Sequence, residues 1–365
     1  MKNTTFKNRI KITAVLALLA FAGGLVFINA CNKKKECCKP KEKTTEIANA
    51  PTPTPIAQNM PMTDIVTIAA IRKSTDGTPS VVLLNKHERV YNVADITLLN
   101  FLDIAQKANT PIKITYDPWQ GIITKAENVT SEDQKRYAQK HVMNNAASAI
   151  FSTEQINANP AITENLEAMG IINTTTPGLT NMIPDMATAQ LMFNFLTKQC
   201  CALSGPYAID YCISFQYCED GCYARAHKMC YVINNKYHYA TQKIFSFANS
   251  GSDELCVKGE KWGGCCINWW YHVAPLVTIK TPTGPKAFVF DPAMFDQPVL
   301  LTTWLHAQQN PACAGGHTPH VSMINVQPTT SYSPASYSGT TFDTDPFYAD
   351  TDTTMVHYST LLSCP

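Results

Sequence analysis

The cysteines divide this chain before any other feature does. Of 14 in 365 residues, Cys31, Cys37 and Cys38 lie near the start, none follows until Cys200, and the other eleven fall between Cys200 and Cys364. An oxidising compartment favours pairing, so the C-terminal half is expected to fold as a disulfide-braced domain. Eleven is an odd number, and an odd cysteine in an exported protein marks a free thiol. No C-x-x-C pair occurs, and the vicinal pairs Cys200-Cys201 and Cys265-Cys266 lack zinc-ligand spacing. No metal and no cofactor are therefore expected.

The start of the chain explains the oxidising compartment. Lys2, Lys7, Arg9 and Lys11 precede ITAVLALLAFAGGLVFI (residues 12–28), the charged start and apolar stretch of an export signal. The stretch ends in Ile28-Asn29-Ala30-Cys31, small residues before a cysteine, as in bacterial lipoprotein cleavage sites. Cys31 is the candidate for a lipid anchor, with ordinary cleavage after Ala30 as the alternative. Residues 1–30 read as a signal peptide and 31–60 as a lipidated or flexible linker, lysine-rich and then stiffened by PTPTP (residues 51–55). The protein is expected to be exported from a bacterial cell, as an envelope lipoprotein or secreted. A net charge of +1, with the basic run confined to this leader, gives no ground for a nucleic-acid partner.

Residues 61–172 carry no cysteine and read as a small α+β segment. Two β-rich runs around Thr75-Asp76-Gly77 predict a hairpin. Residues 94–108 have helical spacing with Leu98, Leu99, Leu102 and Ile104 as apolar positions, residues 110–126 return to strand around Asp117-Pro118, and residues 131–169 read as polar helix. The NTTTPG run (residues 173–178) breaks the pattern and reads as a cleavable linker. After it, Asp185 caps a helix to residue 198, with Ala189, Met192, Phe193 and Leu196 on one face.

The chemistry concentrates in EDGCYARAHKMC (residues 219–230). Asp220 is a good N-cap, Gly221 permits a tight turn, and Cys222 falls in the first helical turn. There the helix dipole and unpaired N–H groups are expected to lower a thiol pKa, with Arg225 and Lys228 adding to the effect. The competing reading is a disulfide cysteine that happens to precede a helix. A nucleophilic cysteine needs a base, and the base an orienting group. NWWYHVAPLVTI (residues 268–279) reads as a buried strand carrying His272, and KAFVFDPAMF (residues 286–295) as a strand ending at Asp291. If the two pair antiparallel about Thr283-Gly284-Pro285, His272 and Asp291 come together. His227 lies on another helix face and is the weaker base.

DGCYARAHKM (residues 220–229), CCINWWYHVA (residues 265–274) and DPAMF (residues 291–295) resemble the protein-glutaminase family of secreted bacterial enzymes. IPDMATAQLMFN (residues 183–194) looks like that family's mature N-terminal helix. The resemblance runs from about Leu179 to the C-terminus. It implies an α+β, transglutaminase- or papain-like catalytic domain over 179–365, with an antiparallel sheet and disulfides. It also makes residues 61–172 an α+β prosegment. By motif it makes Cys222 the nucleophile, His272 the base and Asp291 the orienting acid in hydrolysis of glutamine side-chain amides. Its partners would be proteins or peptides with exposed glutamine and an activating protease.

Gln216 is an oxyanion-hole candidate, and Trp262, Trp269, Trp270 and Tyr271 are candidates for the wall of the glutamine slot. Cys218 and Cys230 depart from the family pattern on either side of the motif and suggest an added bridge. The alternatives are a papain-like cysteine peptidase, a transglutaminase, or a disulfide-rich surface-binding lipoprotein with Cys222 bridged.

Overall fold

A computed structural model describes residues 61–73, 79–140, 149–152, 155, 178–198, 213–248, 251, 253–361 and 363. The signal peptide, Cys31, the 31–60 linker, the Thr75-Asp76-Gly77 turn and most of the 173–178 linker lie outside them.

The first described elements are β1 (Met62–Val66), β2 (Ile68–Arg72), β3 (Ser80–Leu84), β4 (Val90–Val93), α1 (Ile96–Ala108), β5 (Ile112–Asp117), β6 (Ile122–Asn128) and α2 (Ser131–Lys140). The six strands form one sheet in the order β1-β5-β6-β4-β3-β2. β2 and β3 pair antiparallel, as a hairpin demands. Asp95 caps α1 by accepting from the Thr97 and Leu98 N–H groups. The buried face of α1 is Leu99, Leu102 and Ala105, whereas Ile104, expected inside, is 67% exposed. The 3.6-residue period puts Ile104 beside the stripe rather than on it.

The long polar helix expected over residues 131–169 is corrected. α2 ends at Lys140, and β7 (Ala149–Ser152) follows as a strand. β7 pairs antiparallel with β15 (Met323–Pro328), far along the chain. It thus lies at the edge of a second six-stranded sheet, ordered β13-β12-β11-β8-β15-β7. That edge partner lies beyond the reach of any local pattern.

The rest of that sheet comes from the C-terminal half. α3 (Met186–Thr197) starts at its cap Asp185 and buries Ala189, Met192, Phe193 and Leu196, the face read from the sequence. α4 (Cys222–Tyr237) is followed by β8 (Gln242–Phe247), β9 (Asp253–Lys258), β10 (Cys266–Trp269), β11 (Tyr271–Thr281), β12 (Gly284–Val289) and β13 (Val299–Leu300). α5 (Leu301–Ala307), β14 (Thr318–Pro319), β15, β16 (Ser331–Pro334), β17 (Phe342–Thr344) and α6 (Ala349–Tyr358) complete the chain. All pairings in the large C-terminal sheet are antiparallel.

α4 packs on β11, α6 and β16 and is buried on every side from Cys222 to Cys230. A helix enclosed all round must satisfy its polar side chains internally. His227 Nε2 meets the Asp345 carbonyl at 3.0 Å and its Nδ1 meets Lys243 Nζ at 2.7 Å, while Lys228 Nζ pairs with Asp352 at 2.7 Å. Leu83 of β3 shares the core cluster of α3, α4 and β11, and Tyr217 and Tyr358 share that of the first sheet. The two sheets are thus stitched together by side chains from both halves, within the unit spanning residues 48–365.

The disulfide expectation changes in detail. Cys266 and Cys313 are bridged, and Cys265 is disulfide-bonded as well. Cys218, Cys222, Cys230 and Cys256 are free and buried. The Cys218–Cys230 bridge is therefore not formed. Cys218 Sγ instead lies 3.1 Å from Ser363 Oγ, and Cys230 Sγ faces the Gln242 carbonyl. Cys200, Cys201, Cys212 and Cys364 lie outside the described residues.

Candidate active site

Gly221, not Asp220, occupies the N-cap of α4, with φ 93°. An added Cβ there would stand 2.6 Å from the Tyr358 ring, so both the turn and the packing require glycine. Asp220 does other work. Its Oδ1 accepts from the Gly221 N–H at 2.8 Å and from the Glu88 N–H at 3.1 Å. Cys222 follows as the first residue of the helix, 1% exposed, its sulfur unbridged.

β11 and β12 pair antiparallel with Leu276 opposite Val289 and the turn at residues 282–283. Pro275 does not interrupt β11; its carbonyl accepts from the Phe290 N–H at 3.0 Å, just where β12 ends. Asp291 therefore emerges beside His272, and His272 Nε2 meets Asp291 Oδ2 at 2.8 Å. That oxygen also accepts from Trp304 Nε1 at 2.9 Å. The imidazole stacks on Trp269, ring centres 4.3 Å apart, and faces Trp304 at 5.6 Å. With Nε2 committed to Asp291, Nδ1 is the nitrogen left for the thiol side.

A third group stands there that the sequence reading missed. Glu88, between β3 and β4 and 0% exposed, reaches into the cleft. Its Oε1 accepts from the Cys222 N–H at 3.1 Å and from Arg225 Nη2 at 3.2 Å, and its Oε2 lies 3.1 Å from His272 Nδ1. Donor atoms of Glu88, Cys222 and His272 all lie within 4.8 Å of one another. Carboxylate, thiol and imidazole are also zinc-type ligands. Here, however, Arg225 already supplies the positive charge beside Glu88.

The main chain around Glu88 is held like a bound peptide. Trp270, at the bend separating β10 from β11, turns its N–H outward to the Glu88 carbonyl at 3.1 Å, and its Nε1 donates to the His87 carbonyl at 2.6 Å. Tyr271 Oη donates to the Lys86 carbonyl. Trp270 and Tyr271 thus bear on the 86–88 main chain, whereas Trp269 bears on the imidazole. The Trp262 side chain lies outside the described residues. Gln216 is not among the partners of the Glu88 carboxylate; its main-chain oxygen accepts from the Ser363 N–H. Arg225, expected to act through its field on the thiol, donates from Nη2 to Glu88 Oε1.

The electrostatics correct one further expectation. Burial first, and the Glu88 carboxylate second, push the Cys222 thiol well above its ordinary value, outweighing Arg225. The helix terminus, expected to lower the thiol pKa, has its Cys222 N–H engaged by Glu88. His272 moves the other way. Burial pulls its pKa down, but Asp291 and Glu88 prevail and raise it to about 9. His227 is driven down to about 2, chiefly by burial and then by Lys243.

A sequence-family profile described as Glutaminase matches residues 189–308, which hold all three motif residues. The fold is similar to that of a pro-protein-glutaminase, with 25% identity, a TM-score of 0.59, and coverage of 84% of this chain and 95% of that one. A mutant of such a proenzyme matches at 25% identity and TM-score 0.58, covering 82% of this chain and 94% of that one. The protein-glutaminase of Chryseobacterium proteolyticum is 33% identical, covering 51% of this chain and 93% of its own, with a TM-score of 0.42. No curated protein matches the chain. Motifs, profile and the near-complete span of the proenzyme agree, and the chain belongs to the protein-glutaminase family.

Proposed function

We propose that this chain is the proenzyme of an exported amidohydrolase that converts glutamine side chains of proteins or peptides to glutamate. One observation carries the reading: a side-chain carboxylate, that of Glu88, stands at Cys222 and His272, while the Glu88 main-chain carbonyl points away to the Trp270 N–H. A peptidase would hold a main-chain carbonyl at the nucleophile. Glutamate is also what glutamine becomes on deamidation, so Glu88 sits as a product would.

In the mechanism that follows, His272 Nδ1 takes the Cys222 proton and the thiolate attacks the glutamine side-chain amide carbon. The oxyanion forms where Glu88 Oε1 now lies, facing the Cys222 N–H and Arg225. The C–N bond breaks as the imidazolium protonates the amide nitrogen, which leaves as ammonia, and a thioester remains. His272 then deprotonates water, which attacks the thioester and releases glutamate and the thiol. Asp291, fixed by Trp304, holds the imidazole in the tautomer this requires.

Residues 61–172 act as the inhibitory prosegment, separated by the 173–178 linker from the catalytic residues that follow. A lipid on Cys31 would tether the proenzyme to the envelope. The test is ammonia release from a glutamine-rich protein by protease-treated full chain, with C222A as control. New peptide N-termini without ammonia would identify a peptidase instead, and incorporation of an added amine in place of hydrolysis would identify a transglutaminase.

A further inference from the structure

The stretch filling the cleft carries three bases around Glu88, and each meets an acid contributed by the chain beyond residue 178. Lys86 Nζ lies 4.0 Å from Asp350. His87 Nδ1 bonds Asp220 Oδ2, and Arg89 Nη1 pairs with Glu219. These bases have further partners within the N-terminal segment: Asp64 at 3.0 Å from Lys86 and 3.1 Å from His87, and the Pro118 and Trp119 carbonyls at 2.8 Å from Arg89. Those partners would depart with the segment. Asp350, Asp220 and Glu219 would stay.

Two of the acids left behind, Asp220 and Glu219, would then lack their cations. Asp220 is 0% exposed and would keep the Gly221 N–H and the Tyr358 hydroxyl at 2.9 Å, both neutral donors. Glu219, with a side chain 12% exposed, would keep no cationic partner among the described residues. A carboxylate held in such a place is best satisfied by an incoming positive charge. The main-chain bonds, by contrast, are indifferent to sequence. The Lys86, His87 and Glu88 carbonyls and the Lys86 and Glu88 N–H groups all find partners beyond residue 178. Backbone bonds of this kind hold an extended peptide, and side-chain pockets choose which one.

We propose that the processed enzyme selects glutamines in extended segments with basic neighbours, cationic immediately before the glutamine, facing Asp220, and arginine or lysine immediately after, facing Glu219. This rests on the deamidation reading and on the 86–89 stretch occupying the substrate's place.

The test uses the full chain activated by limited proteolysis and three capped peptides that share ends but differ around one glutamine: Lys-His-Gln-Arg, Ala-Ala-Gln-Ala and Glu-Glu-Gln-Glu. Ammonia release should be fastest from the first and slowest from the last, with kcat/KM spread by about a hundredfold across the series. E219Q should narrow the ratio between peptides with arginine and with alanine after the glutamine. Equal rates on all three peptides overturn the flanking rule while leaving deamidation intact. Absence of ammonia from every peptide overturns the deamidation reading and the rule together.

Discussion

At the scale of single residues, Glu88 does more than obstruct. In a working cysteine hydrolase the imidazolium has the thiolate for its counter-ion; here a carboxylate takes that position and the thiol is pushed toward its neutral form. Latency is thus chemical as well as steric. The variant E88Q puts an amide where the carboxylate stands, and the full chain should then hydrolyse that introduced amide itself, restoring glutamate at position 88. Peptide mass mapping would detect the change, and E88Q combined with C222A should not show it. D291N should lower kcat by about a hundredfold or more, since the asparagine amide can no longer fix the imidazole as a carboxylate does. W304F should cost about tenfold through the same hydrogen bond. Of these residues, Cys222, His272 and Asp291 were legible because motif and strand pairing point to them. Glu88 was not, because nothing local distinguishes it among the exposed-looking polar residues between two strands. Nor was Trp304, whose partner lies across the sheet. The odd number of cysteines implied one free thiol, whereas four of the described cysteines are free.

At the scale of elements, the β3–β4 connection meets the start of α4. His87 sits there between Asp220 and Asp64. Burial acts to lower its pKa, yet the two carboxylates raise it to about 9 from an ordinary value near 6.5. A raised folded pKa means that the stabilisation is fully present below the ordinary value and is lost as pH rises through about 9. His272 carries the same sign and the same window. The melting temperature of the full chain should therefore fall between these limits, and H87A should make that fall shallower, because His87 is one of the groups that set it. An unchanged slope in H87A would show that the His87 ion pairs do not set it. Helix α3 and the β11–β12 hairpin were readable in advance, since cap, period and turn all lie within a few residues. β7 was not, because its strand character is conferred by β15, about 170 residues away.

At the scale of the whole molecule, the N-terminal segment is bound in several ways, among them the 86–89 stretch at Cys222 and His272, Arg72 on Glu254, Leu83 in the main core and β7 on the C-terminal sheet. A cut in the 173–178 linker severs none of these. Cleavage should therefore precede activity. After a single nick the N-terminal fragment should co-elute with the catalytic part in size-exclusion chromatography. Labelling of Cys222 by iodoacetamide should stay slow until that fragment is digested or displaced. Labelling that rises in step with the first cut would refute a held fragment. β7 carries one more implication. While it is present, the N–H and C=O groups of Met323 to Val326 have partners along that margin. Once it is gone, a row of main-chain donors and acceptors meets water at an open border, which is a template for docking a second copy of the same sheet. Activation would then trade solubility for catalysis, and the ripened enzyme, unlike its precursor, should self-associate as its concentration rises.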